Sequence, residues 1–144
     1  MTRYTIRITD SRGNNCGSPL VMQRTGRIKA CQFLVFGDMT GKATTGEGPL
    51  GEDIQLSTQA TYQEGAPSLG QNPSVAAETH VGGVLINVTT ATQAQAAVQY
   101  FNTDSGLIPA DFPYTQAVSF YLNSTTDPDP FNALNGLVIL YCEE

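Results

Sequence analysis

Apolar and polar residues alternate with a period of two over most of this chain, the pattern of strands that bury one face. Tyr4, Ile6 and Ile8 fall on one side of a first segment, with Arg3, Thr5, Arg7 and Thr9 on the other. After a Gly/Asn loop over 12–17, Leu20-Val21-Met22 opens a second strand. Arg24-Thr25-Gly26-Arg27 reads as a hairpin turn into a long third strand over 28–36. The cleanest alternation spans 53–63. There Ile54, Leu56, Thr58, Ala60 and Tyr62 oppose Gln55, Ser57, Gln59, Thr61 and Gln63, so one face is apolar to amphiphilic and the other polar yet uncharged. Segments 84–88, 117–122 and 137–142 are further strands. The last is apolar on both faces and is expected to be central and covered on both sides.

One segment departs from the period of two. Thr90 is placed to cap a short helix over 91–101, with Ala94, Ala97, Val98 and Phe101 at i, i+3, i+4 and i+7. Two Gly-rich loops, near 38–51 and 64–74, are long enough to act as arms rather than tight turns. The pattern predicts an all-β, mainly antiparallel fold. It is read as one domain over 1–144, a single β-sandwich or jelly-roll-like barrel with one short helix near 91–101 covering an edge or end.

Charge changes the picture. All seven Lys and Arg residues lie in the first 42 positions: Arg3, Arg7, Arg12, Arg24, Arg27, Lys29 and Lys42. Against Asp10 and Asp38 they give this segment +5, whereas 43–144 holds eleven acids and no fixed cation, −11, for a net −6. Such a chain either neutralises itself internally or offers opposite signs to neighbouring copies or partners. Charged residues are only 14% of the total, and Thr, Ser, Asn and Gln take their place. Few like charges therefore protect the surface against association. A pI near 4.5 makes nucleic acid a poor partner, since phosphate neutralisation needs clustered cations.

Candidate chemistry adds little. Cys16, Cys31 and Cys142 are odd in number and spaced for neither a zinc ribbon nor a CxxC pair. Cys31 and Cys142 read as buried small hydrophobes and Cys16 as a loop thiol. Gly46-Glu47-Gly48-Pro49-Leu50-Gly51 matches the letters of a dinucleotide fingerprint but lacks the strand–loop–helix context. His80 is the only histidine, so any histidine-dependent nucleophile must run through it, and no partner is placed beside it by sequence. Asp127-Pro128-Asp129-Pro130 departs from calcium-loop spacing and reads as turn chemistry. No catalytic, cofactor or metal residue is assigned. The sequons at Asn87 and Asn123 read as chance matches in an Asn/Thr-rich chain. The first residues lack the apolar run of a signal peptide, and no segment has the apolar length of a transmembrane helix.

In texture, Thr/Asn/Gln-rich, charge-poor and without a catalytic constellation, the chain resembles small β-rich virion proteins such as capsid decoration or tail components of phages. That resemblance implies a non-enzymatic structural protein that assembles into or onto a larger symmetric particle. Its partners would be copies of itself or other particle subunits, with no membrane, no cofactor and no obligatory small molecule. Its location would be the virion after synthesis in the host cytoplasm, or else the cytoplasm. The candidate interface residues are Arg3, Arg7, Arg24, Arg27, Lys29, Gln55, Gln59 and Gln63. The alternative is a β-sandwich binding module for a carbohydrate or another small ligand; a small hydrolase built on His80 is the third option.

Overall fold

The computed structural model describes residues 1–9, 16–38, 50–62, 79–88, 100–124 and 133–144. These form two antiparallel sheets and no helix, as the period of two requires. The strands are β1 (Thr2–Ile8), β2 (Leu20–Val21), β3 (Gly26–Asp38), β4 (Leu50–Ser57), β5 (His80–Val88), β6 (Tyr100–Asp104), β7 (Ile108–Tyr114), β8 (Ser119–Ser124) and β9 (Ala133–Glu143). The larger sheet has the order β1-β9-β3-β6, with β7 also paired to β3. The smaller has the order β2-β8-β4-β5.

The two sheets face each other across a core that the alternation specifies. Ile6 and Ile8 of β1, Phe33 and Val35 of β3, and Val138, Leu140 and Cys142 of β9 point inward from the larger sheet. Ile54 and Leu56 of β4 and Phe120 and Leu122 of β8 meet them from the smaller one. Each such aliphatic or aromatic side chain stabilises the fold by about 1.5–3 kcal/mol relative to exposure. Phe120 packs edge-to-face on Phe112 at 5.7 Å and Tyr114 at 6.0 Å between ring centroids. At Gly82 of β5 the layers come so close that a Cβ would lie 2.9 Å from Cys31 Sγ. A short strap joins the sheets at one edge: Thr9 N–H donates to the Cys16 carbonyl (2.7 Å), and Cys16 N–H donates to the Leu122 carbonyl (2.9 Å).

Several expectations are corrected. Leu20–Val21 pairs with β8, not with β3, so 24–27 carries the chain from one sheet to the other instead of closing a hairpin. The strand expected over 53–63 ends at Ser57, where the Ser57 hydroxyl engages the backbone of Gln59 and the chain bends. Of the helix expected over 91–101, Tyr100 and Phe101 lie in β6, paired with Asp38 and Gly37. Residues 91–99 are outside the described residues, as are 39–49 and 63–78, which hold most of the two Gly-rich loops. β9 is central, between β1 and β3, but only its inward face is sealed; Leu137 is 40% exposed and Ile139 and Tyr141 are partly so. Cys16 lies in the connection between β1 and β2, as expected, but is fully buried, and none of the three cysteines is in a disulfide.

β6 and β7 lie outside the strands that the alternation predicts. They run along β3 one after the other, with a break at 105–107 where Ser105 Oγ accepts the Phe33 N–H (2.8 Å). Ile108, Ala110, Phe112 and Tyr114 do alternate inward. Pro109 and Pro113 mask that pattern, being disfavoured in any strand except an edge.

Candidate interaction surface

The outward face of the larger sheet is built from the residues between the core positions. Register places them in rungs. Arg7 of β1 is opposite Leu137 of β9, Leu137 opposite Leu34 of β3, and Leu34 opposite Asp104 of β6. The rung two residues along reads Thr5, Ile139 and Gln32, and the next reads Arg3, Tyr141, Ala30 and Pro109. In the other direction Asn135, Phe36 and Asn102 follow. The face thus runs from cations on β1, across an apolar middle on β9 and β3, to a carboxylate on β6.

A polar chain crosses the same four strands. The Arg3 guanidinium sits 5.5 Å from the centroid of the Tyr141 ring, a cation–π arrangement. Tyr141 O–H donates to Gln32 Oε1 (3.2 Å), and Gln32 Nε2 donates to Asp104 Oδ1 (2.8 Å). The Gly106 N–H also donates to Asp104 (2.8 Å). The Gln32 amide and the Gly106 N–H together hold the Asp104 carboxyl below the usual range, so it is an anion at neutral pH. Half-exposed apolar side chains therefore lie between ordered polar groups, with Leu137 40% and Phe36 42% exposed.

The expected interface residues divide. Arg3 and Arg7 lie on this face. Arg27 and Lys29 lie at its β7 end but are already neutralised, both reaching Asp111 Oδ1 at 3.0 and 3.4 Å. A β-bulge between Ile28 and Ala30 re-aims Lys29 towards that carboxylate. Arg24 is exposed between β2 and β3. Near it, Glu144 accepts hydrogen bonds from Tyr4 O–H (2.6 Å) and Tyr114 O–H (3.2 Å), and these keep its carboxyl below the usual range.

The glutamines belong elsewhere. Gln55 is a correction: it is fully buried, as are Ser57 and Asn123. Asn123 Nδ2 donates to the Gln59 carbonyl (2.8 Å), which also removes Asn123 from any role as an exposed sequon. Gln59 is exposed in that bend, and Gln63 lies outside the described residues. Of the uncharged polar face, Gln55 and Ser57 are thus internal, whereas Gln59 and Thr61 are exposed. Reasoning from sequence missed Gln32, Leu34, Asp104, Leu137, Ile139 and Tyr141. The available signal was the apolar residues on both faces of 137–142, which was expected to be covered on both sides.

Two other places bear on function. His80 is opposite Ser57 in the β4–β5 ladder, yet Ser57 is fully buried and its hydroxyl both donates to the Gln59 carbonyl (3.3 Å) and accepts the Gln59 N–H (3.1 Å). A nucleophile needs an approach path that this hydroxyl lacks. A cleft of about 570 Å³ opens between the layers where β7 meets the turn into β8, lined by Thr25, Arg27, Thr58, Phe112, Tyr114 and Val118 among others. A strand, Leu50–Ser57, begins within the glycine-rich letters at 46–51, where a dinucleotide site needs a helix. Among the described residues no group of His, Cys, Asp and Glu is arranged to hold a metal, and no helix is long and apolar enough to cross a membrane. Asp127 and Asp129 lie outside them. Comparison with family models, with characterised proteins and with solved structures finds no match to this chain.

Proposed function

We propose that this is a non-enzymatic structural protein that assembles into or onto a larger symmetric particle, in the manner of a virion component such as a capsid, decoration or tail subunit. The observation that carries the reading is the outward face of the larger sheet. A solitary sheet that meets only water alternates apolar-in with polar-out. Here Leu34, Leu137, Ile139 and Tyr141 stand on the outer side, framed by Arg3 and Arg7 on one flank and Asp104 on the other. Such a face is half interior and half rim, as association surfaces are. The buried, engaged Ser57 beside His80 supports the non-enzymatic part of the reading.

Light-scattering mass of the purified protein at low and high salt, with the same samples imaged by electron microscopy, tests it. A ring, trimer or larger particle of defined size is the expected result. A monomer at every concentration and salt, without affinity for any particle, would remove it. The cleft between Phe112 and Val118 favours the second reading, a binding module for a carbohydrate or other small amphiphile. A melting temperature that rises with a sugar panel would select that reading instead.

A further inference from the structure

We infer that the outward face of the larger sheet is the seat of a second copy of this chain, packed face to face about a two-fold axis parallel to the strands between β9 and β3. The inference rests on the reading of the protein as an assembling subunit, and gives that reading a surface and a partner. The rung Arg7–Leu137–Leu34–Asp104 is its basis. A two-fold axis along the strands reverses the strand order while keeping each rung at its own height. It therefore sets Arg7 of one copy over Asp104 of the other, and Leu137 over Leu34, twice per pair. The alternative two-fold, across the strands, lays β1 on β1 and brings the arginines together. Charge layout thus selects one orientation.

The fit survives the twist of real sheets. Packed sheets cross at about 30°, which displaces the flanking strands by about 3–4 Å, one residue or half the spacing between rungs. An arginine side chain spans that distance. Arg7 is available for it: among the described residues no carboxylate lies within ion-pair distance, whereas Arg27 and Lys29 are held by Asp111. Asp104 is anionic and solvent-facing. The face measures roughly 19 by 20 Å, about 400 Å² in projection. That is small for a stable interface, so the pair is weak and concentration-dependent, and is a building contact within a larger assembly.

Sedimentation equilibrium of the whole chain at low salt, over a wide concentration range, tests this. Wild type is expected to dimerise reversibly. Arg7→Asp and Asp104→Arg each set like charges opposite one another twice per dimer and lower the association constant about tenfold. The double variant restores it. Because Asp104 also holds the Gly106 N–H, Leu137→Lys is the second variant; it places two cations near the axis, leaves that bend intact and abolishes the dimer. Unchanged association in folded Arg7→Asp and Leu137→Lys overturns the inference while leaving assembly through another surface in place. So does a double variant that folds and stays monomeric. A wild type that is monomeric throughout overturns it too, and the microscopy then decides the wider reading separately.

Discussion

Gly136 shows how one residue holds the central strand pairing. It lies in β9 opposite Ile8 on one side and Val35 on the other, with φ +150°, a region open to glycine and strained for other residues. A Cβ there would overlap the Leu34 carbonyl oxygen. Gly136→Ala is therefore expected to cost about 2–4 kcal/mol, read as a shift of the urea midpoint. Cys31 supplies a second residue-scale test. Burial pushes its thiol up to about 12, against about 8.5 for an unfolded chain. The fold favours the protonated form, so this contribution is complete below about pH 8.5 and is lost as pH rises from there towards 12. Stability should fall by at most about 1.4 kcal/mol per pH unit from this thiol alone in that window. Cys142 and Tyr114, also raised by burial, add to the fall. Urea midpoints between pH 7.5 and 10.5 should show a shallower slope in Cys31→Ala; an equal slope would place the alkaline sensitivity elsewhere.

At the scale of elements, the layers are held by strands whose pattern was partly legible. The alternations Tyr4-Ile6-Ile8 and Ile54-Leu56 identified β1 and β4 and the direction each faces, because period two maps directly onto two sheet faces. The end of β4 was not legible, since Thr58 and Gln59 continue the alternation while the Ser57 hydroxyl turns the backbone. The partner of Leu20–Val21 was hidden for a different reason: a Gly-containing connection reads the same whether it closes a hairpin or crosses between sheets. β7 was masked by Pro109 and Pro113, which are compatible with its place beside β3 only. Its contribution is tested at Phe120, whose ring joins β8 to Phe112 and Tyr114 of β7. Phe120→Ala should cost about 3–5 kcal/mol and be among the most damaging single substitutions. A loss below about 1 kcal/mol would mean that the two layers are not coupled at this end.

For the whole molecule, the partition of charge along the sequence becomes a partition across one face. The basic first third supplies β1 and the start of β3, and the acidic remainder supplies Asp104 and Asp111 on the opposite flank. At the β7 end the two signs meet within the chain, where Arg27 and Lys29 share Asp111. Acid should release that contact as pH falls below the usual carboxylate range, because both cations hold the Asp111 carboxyl down. Towards the β6 end Arg7 and Asp104 stand apart on the same rung with Leu137 and Leu34 between them. The sequence carried the charge signal but not this geometry, which depends on which strands neighbour β9. Hydroxyl-radical footprinting below and above the assembling concentration tests the central claim most directly. Leu34, Leu137, Ile139 and Tyr141 should become protected together, while Val21 and Leu107, 46% and 63% exposed elsewhere on the surface, stay reactive. Protection of Val21 or Leu107 with an unchanged outer sheet face would contradict the account.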